Sequence, residues 1–409
     1  MDKLKDTLLR LDKFITDSSY RGYDPYDGLK SPLFKLPLLR SNKSLRFGFQ
    51  QSVKRLPFNI RPLLSIPKGY NPVTLGLCLQ GYLYMAQGME QRAQSSVHSA
   101  QSMVNIGSTK HISDPEQGDY YLDKIKFLIS ELKNLISPGY SGACWGYDFP
   151  WEARYASIPA FQPNIVATGI ITNALFKVYK ICGNTDCAGL VKSAAQFVLH
   201  DLNRTYHGDN FIFSYSPFDH QQVLNASMKA VRILAQAYSV TGDETLKQEA
   251  FKAVSFVASK QRPDGSWPYS LASTGDWTDN YHTGYILECM DEYARLCNDE
   301  RFNENIRKGY SFYRENFITD EGKPLFYAGK EWPVDCTAAA QSIITLCRFG
   351  DVETAEKVAM YTIRNMQSPE GGFYFRKYRY YTNKTIFMRW SNAWMMAALS
   401  ELLFRISEL

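Results

Sequence analysis

Along this chain, apolar segments with helical spacing alternate with more charged ones, and each apolar segment opens on a polar residue. Those openers are Asn71, Asn164, Asn225, Asn280, Asp335 and Asn392. From Asn164 onward they recur at intervals of 61, 55, 55 and 57 residues. Asn and Asp suit the position because their side-chain oxygens accept an amide proton that the first helical turn leaves without a partner. The first interval is 93 residues, and a Gln- and Ser-rich insertion near 89–120 accounts for the excess. The charged partner helices are predicted over 121–136, 186–202, 244–260, 301–317 and 353–366. Ahead of them all, Leu4, Leu8, Leu11 and Ile15 mark one face of a first helix.

Six hairpins of this period predict an all-α fold, an (α/α)6 toroid. The apolar helices, rich in Ala, Gly, Ser, Cys and Thr, form the inner ring and the charged helices the outer one. Each repeat then buries its apolar face against its neighbours. An open α-solenoid is the rival arrangement. The toroid is preferred because the repeats stop at six and the long loops all precede apolar helices, which gathers those loops at one mouth. The chain, 1–409, reads as a single domain with an N-terminal helix and loop at 1–60 and the insertion near 89–120.

Composition narrows the class. Hydrophobic residues make up 45% and charged residues 21%, as in ordinary globular proteins. A net charge of +5 over 409 residues is too weak to argue for nucleic acid. The eight cysteines include no CxxC pair and mostly fall in apolar helical patterns, which predicts reduced core thiols. The start, MDKLKDTLLRLDKF, lacks the apolar core of a secretory signal, and no uninterrupted apolar run approaches the ~18 residues of a membrane span. A cytoplasmic protein is expected.

Aromatic residues, at 14%, are abundant, and they concentrate in the loops 144–163, 211–224, 265–279, 322–334 and 371–391. An aromatic mouth with a few charged groups suits a sugar, whose rings present apolar faces and polar edges. Trp145, Trp277, Trp332 and Trp390 are the expected stacking platforms. Asp148 lies among Trp145, Tyr147, Phe149 and Trp151, and apolar surroundings favour the protonated carboxyl of a general acid. Asp279 and Asp335 precede inner helices, where the dipole favours the ionised form of a base or nucleophile, although Asp there is equally a plain N-cap. His282 follows in the first turn of the same helix as Asn280 and Tyr281 and should face the mouth as a base. His220, beside Asp219, is a second candidate in the neighbouring repeat. Asp24 and Asp27, set among three tyrosines at 20–26, are possible substrate contacts as well as turn formers. Arg154, Arg376, Tyr380 and Arg389 complete the set, as contacts for an anionic sugar.

The strings YDPYDGL, WGYDFPWEAR, DNYHTGYILE, WPVDCTAAAQ and RWSNAWMMAAL are similar to a toroid family encoded in bacterial polysaccharide biosynthesis clusters. The hairpin pattern also resembles six-hairpin glycosidases, toroid sugar 2-epimerases and polysaccharide lyases. These resemblances imply a role in making or editing surface polysaccharide. Gln261 with Gly265-x-Trp267, and Gln367 with Gly371-Gly-Phe373, resemble the Gln-Trp turns of triterpene cyclases, which are structural. The acidic motifs of those cyclases are missing, as is a histidine after His282 to complete a prenyltransferase-like zinc site. No metal or cofactor is therefore expected.

The expected function is a carbohydrate-active enzyme acting on an acidic or lipid-linked glycan. Hydrolysis, elimination and epimerisation all remain open. A non-catalytic glycan-binding scaffold is the alternative, and an isoprenoid-modifying enzyme, which would need a wide and wholly apolar cavity, comes third. Oligomeric state is not legible.

Overall fold

The computed structural model describes residues 2–102, 115–152 and 157–409. Its helices are α1 (Asp2–Asp17), α2 (Pro37–Ser41), α3 (Lys43–Arg55), α4 (Pro72–Ser102), α5 (Pro115–Asn134), α6 (Ile165–Cys182) and α7 (Thr185–His200). They continue with α8 (Leu224–Thr241), α9 (Glu244–Ala258), α10 (Asn280–Cys297), α11 (Asn303–Phe317), α12 (Cys336–Arg348), α13 (Val352–Met366) and α14 (Trp394–Glu408). The even-numbered helices from α4 to α14 each pack on the next, and α14 packs back on α4. The ring is closed, and the fold is an (α/α)6 toroid. Buried alanines such as Ala226 and Ala230 on α8 and Ala338, Ala339 and Ala340 on α12 let the inner helices approach closely.

The sixth outer helix is α1. The turns that follow the outer helices place a glycine hard against the next outer helix. A Cβ on Gly265 (φ +92°) would lie 2.5 Å from the Lys308 carbonyl of α11, and one on Gly371 (φ +98°) would lie 2.5 Å from the Arg10 carbonyl of α1. The glutamines of the two Gln-Trp-like turns repeat the relation. Gln261 donates to the Gly265 and Asn305 carbonyls, and Gln367 donates to the Gly371 and Thr7 carbonyls. The first helix of the chain thus occupies, beside α13 and α14, the place that α11 occupies beside α9 and α10. The two ends of the sequence close the ring together.

The expected helix openers divide. Asn71, Asn164 and Asp335 accept first-turn amides of α4, α6 and α12. On α10 the cap is Asp279, and Asn280 instead lies inside the first turn. Asn225 also lies inside its helix, whose cap, Val223, has no side-chain bond to give. Asn392 sits in a π-helical turn, Met388–Ala393, that leads into α14. Its side chain accepts from the Phe373 amide and donates to the Phe387 carbonyl. Helix α6 is long and apolar enough to cross a membrane, and two thirds of it is buried within the ring. The insertion expected near 89–120 falls partly outside the described residues.

Residues 18–71, which belong to no hairpin, form a strap across the mouth. Its anchors are ionic and long-range: Asp24 to Arg389, Lys30 to Asp148, and Arg46 to Glu152. Short strands also occur in the connections, including a three-stranded sheet of Val334–Asp335, Tyr374–Lys377 and Thr382–Ile386.

Candidate active site

A cavity of about 470 Å³ opens at the mouth, among the loops that lead into the inner helices and under the strap. That volume belongs to the usual range of small-molecule sites, roughly 300–1,000 Å³. Fifteen Phe, Tyr and Trp side chains line it. Their proportions decide its chemistry, since tyrosines and tryptophans bring hydrogen-bonding edges that a phenylalanine wall would lack. Tyr269 stacks on Trp277 with ring centroids 4.4 Å apart, and Tyr285 stacks on Trp394 at the floor at 5.7 Å.

The titratable groups on the wall are few. His282 faces the cavity from the first turn of α10, with Tyr269, Trp277 and Tyr281 packed around its ring. Its Nδ1 lies 2.7 Å from Oδ2 of Asp279, while Oδ1 of that carboxylate accepts the His282 amide at 2.9 Å. One carboxylate therefore caps the helix and fixes the imidazole. With the proton on Nδ1, Nε2 keeps its lone pair, and it has no partner among the described residues. The phenols of Tyr215, Tyr281 and Tyr285 are all pushed well above the ordinary tyrosine range, chiefly by burial. They remain protonated and can donate.

The remaining charged groups on the wall are Lys54, Arg55, Arg376 and Arg389. Among the described residues no carboxylate reaches the surface of the cavity; the acids stand one layer behind. Asp24 accepts Nε and Nη2 of Arg389 at 2.6 and 2.9 Å. Asp335 accepts Nε of Arg376 at 2.5 Å and the indole N–H of Trp390 at 3.4 Å, as well as capping α12. Arg389 in turn lies over the Tyr147 ring, 4.8 Å from its centroid.

Of the side chains expected at the site, the structure brings Tyr147, Trp151, Trp277, Tyr281, His282, Arg376, Arg389 and Trp390 to one wall. Asp279, Asp335 and Asp24 support that wall from behind. Others stand elsewhere, each for a visible reason. Asp148 does not line the cavity, because Lys30 and Asn71 bind its two oxygens at 3.0 and 2.8 Å. Asp27 is buried against Arg61 at 2.6 Å inside the strap. Trp145 is fully buried, and its indole donates to the Leu132 carbonyl at 2.8 Å. It matches Trp267, which donates to the Val257 carbonyl, so Trp145 is a structural residue of the repeat and not a platform. Asn280 binds Tyr313, Ser342 and the Leu325 carbonyl within the helical packing. Trp332 stands off the wall under the Lys323 ammonium. His220 is exposed, and Tyr380 is 86% exposed at a hairpin tip. Arg154 lies outside the described residues.

Sequence reasoning missed Tyr26, Gln51, Lys54 and Arg55, which the strap delivers, and Tyr285 and Trp394, which line the floor from inner helices. For the floor residues a signal existed: a bulky aromatic on an inner helix otherwise rich in small residues needs space in front of it. Among the described residues no group of three or more His, Cys, Asp or Glu is placed to hold a metal ion.

No protein-family model matches the sequence, and no curated protein matches it. Solved structures do. A cellobiose 2-epimerase from Bacillus thermoamylovorans superposes with a TM-score of 0.57 at 12% identity, covering 82% of this chain and 87% of that one. A GH76 α-mannanase from Bacteroides thetaiotaomicron gives 0.52 at 12% identity, over 80% and 85%. A possible member of the GH105 family from Salmonella enterica gives 0.51 at 13% identity, over 81% and 82%. At such identities the likeness is one of fold: the chain is an (α/α)6 toroid of the architecture found in these epimerase and glycoside hydrolase structures.

Proposed function

We propose that this protein is a carbohydrate-active enzyme that moves a proton at a carbon atom of an acidic sugar, with His282 as the base. The observation that carries this reading is the Asp279–His282 pair on an aromatic wall whose other charged groups are all cations among the described residues. Nε2 of His282 takes a proton from a C–H bond next to a carbonyl or carboxyl group. Return of a proton to the opposite face inverts the carbon, which is epimerisation. Departure of a β-oxygen, protonated by a phenol such as Tyr281 or Tyr285, is elimination. Both need one base and an opposing acid. Hydrolysis by the usual route needs two carboxylates facing the bond, and here the nearby carboxylates are engaged by Arg389, Arg376, His282 and Lys30.

The resemblance to proteins of polysaccharide biosynthesis clusters, together with the cationic wall, supports an acidic or lipid-linked glycan as substrate. Seven of the eight cysteines are buried, which supports a reducing compartment such as the cytoplasm. A wall of phenols, indoles and cations does not suit an isoprenoid. A glycan-binding role without turnover is the second reading. It is favoured by the fact that His282 is the one imidazole on the wall among the described residues, with no second base facing it.

Incubation with acidic oligosaccharides in deuterated water separates these outcomes. Deuterium at a ring carbon indicates epimerisation, and a new ultraviolet-absorbing double bond indicates elimination. A new reducing end without either indicates hydrolysis and overturns the proton-transfer reading. Saturable binding without any product indicates a binder.

A further inference from the structure

The four cations on the wall are not equivalent. Arg389 is bound in bidentate fashion by Asp24, and Arg376 is bound by Asp335. Each is half of a buried pair that is already neutral, so an incoming anion would compete with a carboxylate in contact. Lys54 and Arg55 have no carboxylate partner among the described residues. Nζ of Lys54 lies 2.5 Å from the Tyr26 hydroxyl, 4.0 Å from the Tyr26 ring centroid and 6.0 Å from that of Trp390. Arg55 beside it is exposed. In the last turn of α3 both complement the helix dipole, and Tyr26 takes one of the three N–H donors of the Lys54 ammonium.

A run of neighbouring aromatic rings connects this pair to the base. Trp390 stands next to Lys54, its ring centroid lies 5.7 Å from that of Tyr281, and Tyr281 lies 4.1 Å from the imidazole of His282. Lys54, Trp390, Tyr281 and His282 thus follow one another along a single wall of the cavity.

We propose that Lys54 and Arg55 form the anion-recognition end of the site and bind the carboxylate or phosphate of the sugar. The proposal rests on the reading of the cavity as an acidic-sugar site and adds where the charge is recognised. Selectivity for charged sugars then resides in the strap and not in the repeats. The arginines Arg376 and Arg389, more conspicuous in the sequence, hold the wall together.

Tryptophan fluorescence reads binding directly, because Trp151, Trp277, Trp390 and Trp394 border the cavity. The probes are D-glucuronate, D-glucose 6-phosphate and D-glucose. The wild type should give a saturable change with at least one anionic sugar, and the preferred one identifies carboxylate or phosphate as the recognised group. Combined Lys54→Met and Arg55→Met should raise its Kd at least about tenfold, as loss of a charge-assisted contact implies, and leave D-glucose binding unchanged. Combined Lys54→Arg and Arg55→Lys should restore most of the affinity. An unaltered Kd in the methionine variant overturns the proposal, as does a wild type that binds neither anionic sugar. The readout is independent of turnover. An unaltered Kd in the methionine variant, with deuterium exchange by the wild type intact, would sink the anion site alone, while products formed without His282 would sink the proton-transfer reading and leave the anion site standing.

Discussion

Asp279 touches His282 twice, accepting its backbone amide with one carboxylate oxygen and its Nδ1 with the other, at 2.9 and 2.7 Å. The cap and the base are one unit, and the two roles can be separated by substitution. Asparagine caps helices about as well as aspartate, yet it cannot stabilise an imidazolium. Asp279→Asn should therefore lower turnover by about 10²–10⁴-fold with little change in melting temperature. Asp279→Ala should show the same loss and also cost about 1–2 kcal/mol of stability, measured by urea unfolding. Equal activity in wild type and Asp279→Asn would detach the carboxylate from the chemistry.

The pairing of Asp24 with Arg389 joins residues 365 positions apart and fastens the strap to the π-helical turn that leads into the last inner helix. Both side chains are 6% exposed. Removing one partner of a buried pair leaves a charge without compensation, at about 3–5 kcal/mol. Asp24→Ala should lower stability by that order, whereas Asp17→Ala, which removes an exposed partner of Lys13, should cost less than about 1 kcal/mol. Urea midpoints for the two variants make the comparison.

Beneath the floor, Lys229 holds its ammonium 3.8 Å from the ring centroid of Tyr285. Burial, followed by the charge of Arg232, pulls its pKa down to about 8. An unfolded lysine titrates near 10.4, so between these values the folded state binds fewer protons than the unfolded state. The contribution of this group to stability is greatest above about pH 10.4 and is lost as pH falls through about 8. Lys229→Met should accordingly raise the urea midpoint at pH 7 and raise it less, or not at all, at pH 10. An equal shift at both pH values would count against a buried, strained charge.

Trp145 and Trp390 came from equally aromatic loops but do different work. Trp145→Phe removes the bond to the Leu132 carbonyl and should cost about 1–3 kcal/mol of stability without altering sugar affinity. Trp390→Phe keeps an aromatic face but loses the indole contact with Asp335, and should weaken binding by about 0.5–1.5 kcal/mol. Parallel unfolding and fluorescence titrations on both variants test the distinction.

That pair also marks how far the sequence could be read. The recurring Asn and Asp openers exposed the hairpins, because capping and amphipathic spacing are local rules. The position of His282 at a helix start, and hence at the mouth, followed from the same rules. Whether a loop tryptophan packs beneath its turn or faces the cavity depends on side-chain direction, which local composition does not encode. The strap was illegible for another reason. Its anchors, Asp24 to Arg389 and Lys30 to Asp148, are pairings between distant segments, and no periodicity announces them. Asp148 looked like an acid because of its aromatic neighbours; Lys30 and Asn71, which occupy it, come from far earlier in the chain. The same holds for α1, whose place as the sixth outer helix depends on contacts with α13 and α14 at the other end.

Removal of a carbon-bound proton by Nε2 of His282 is the step on which the proposed chemistry turns. The most direct measurement is deuterium incorporation from deuterated water into an acidic sugar substrate, followed by NMR with the wild type and with His282→Gln. The wild type should incorporate deuterium at one ring carbon, or lose that proton to a new double bond, and the variant should be slower by at least about 10²-fold. Equal incorporation by both proteins, or a product released with every ring C–H intact, would contradict it.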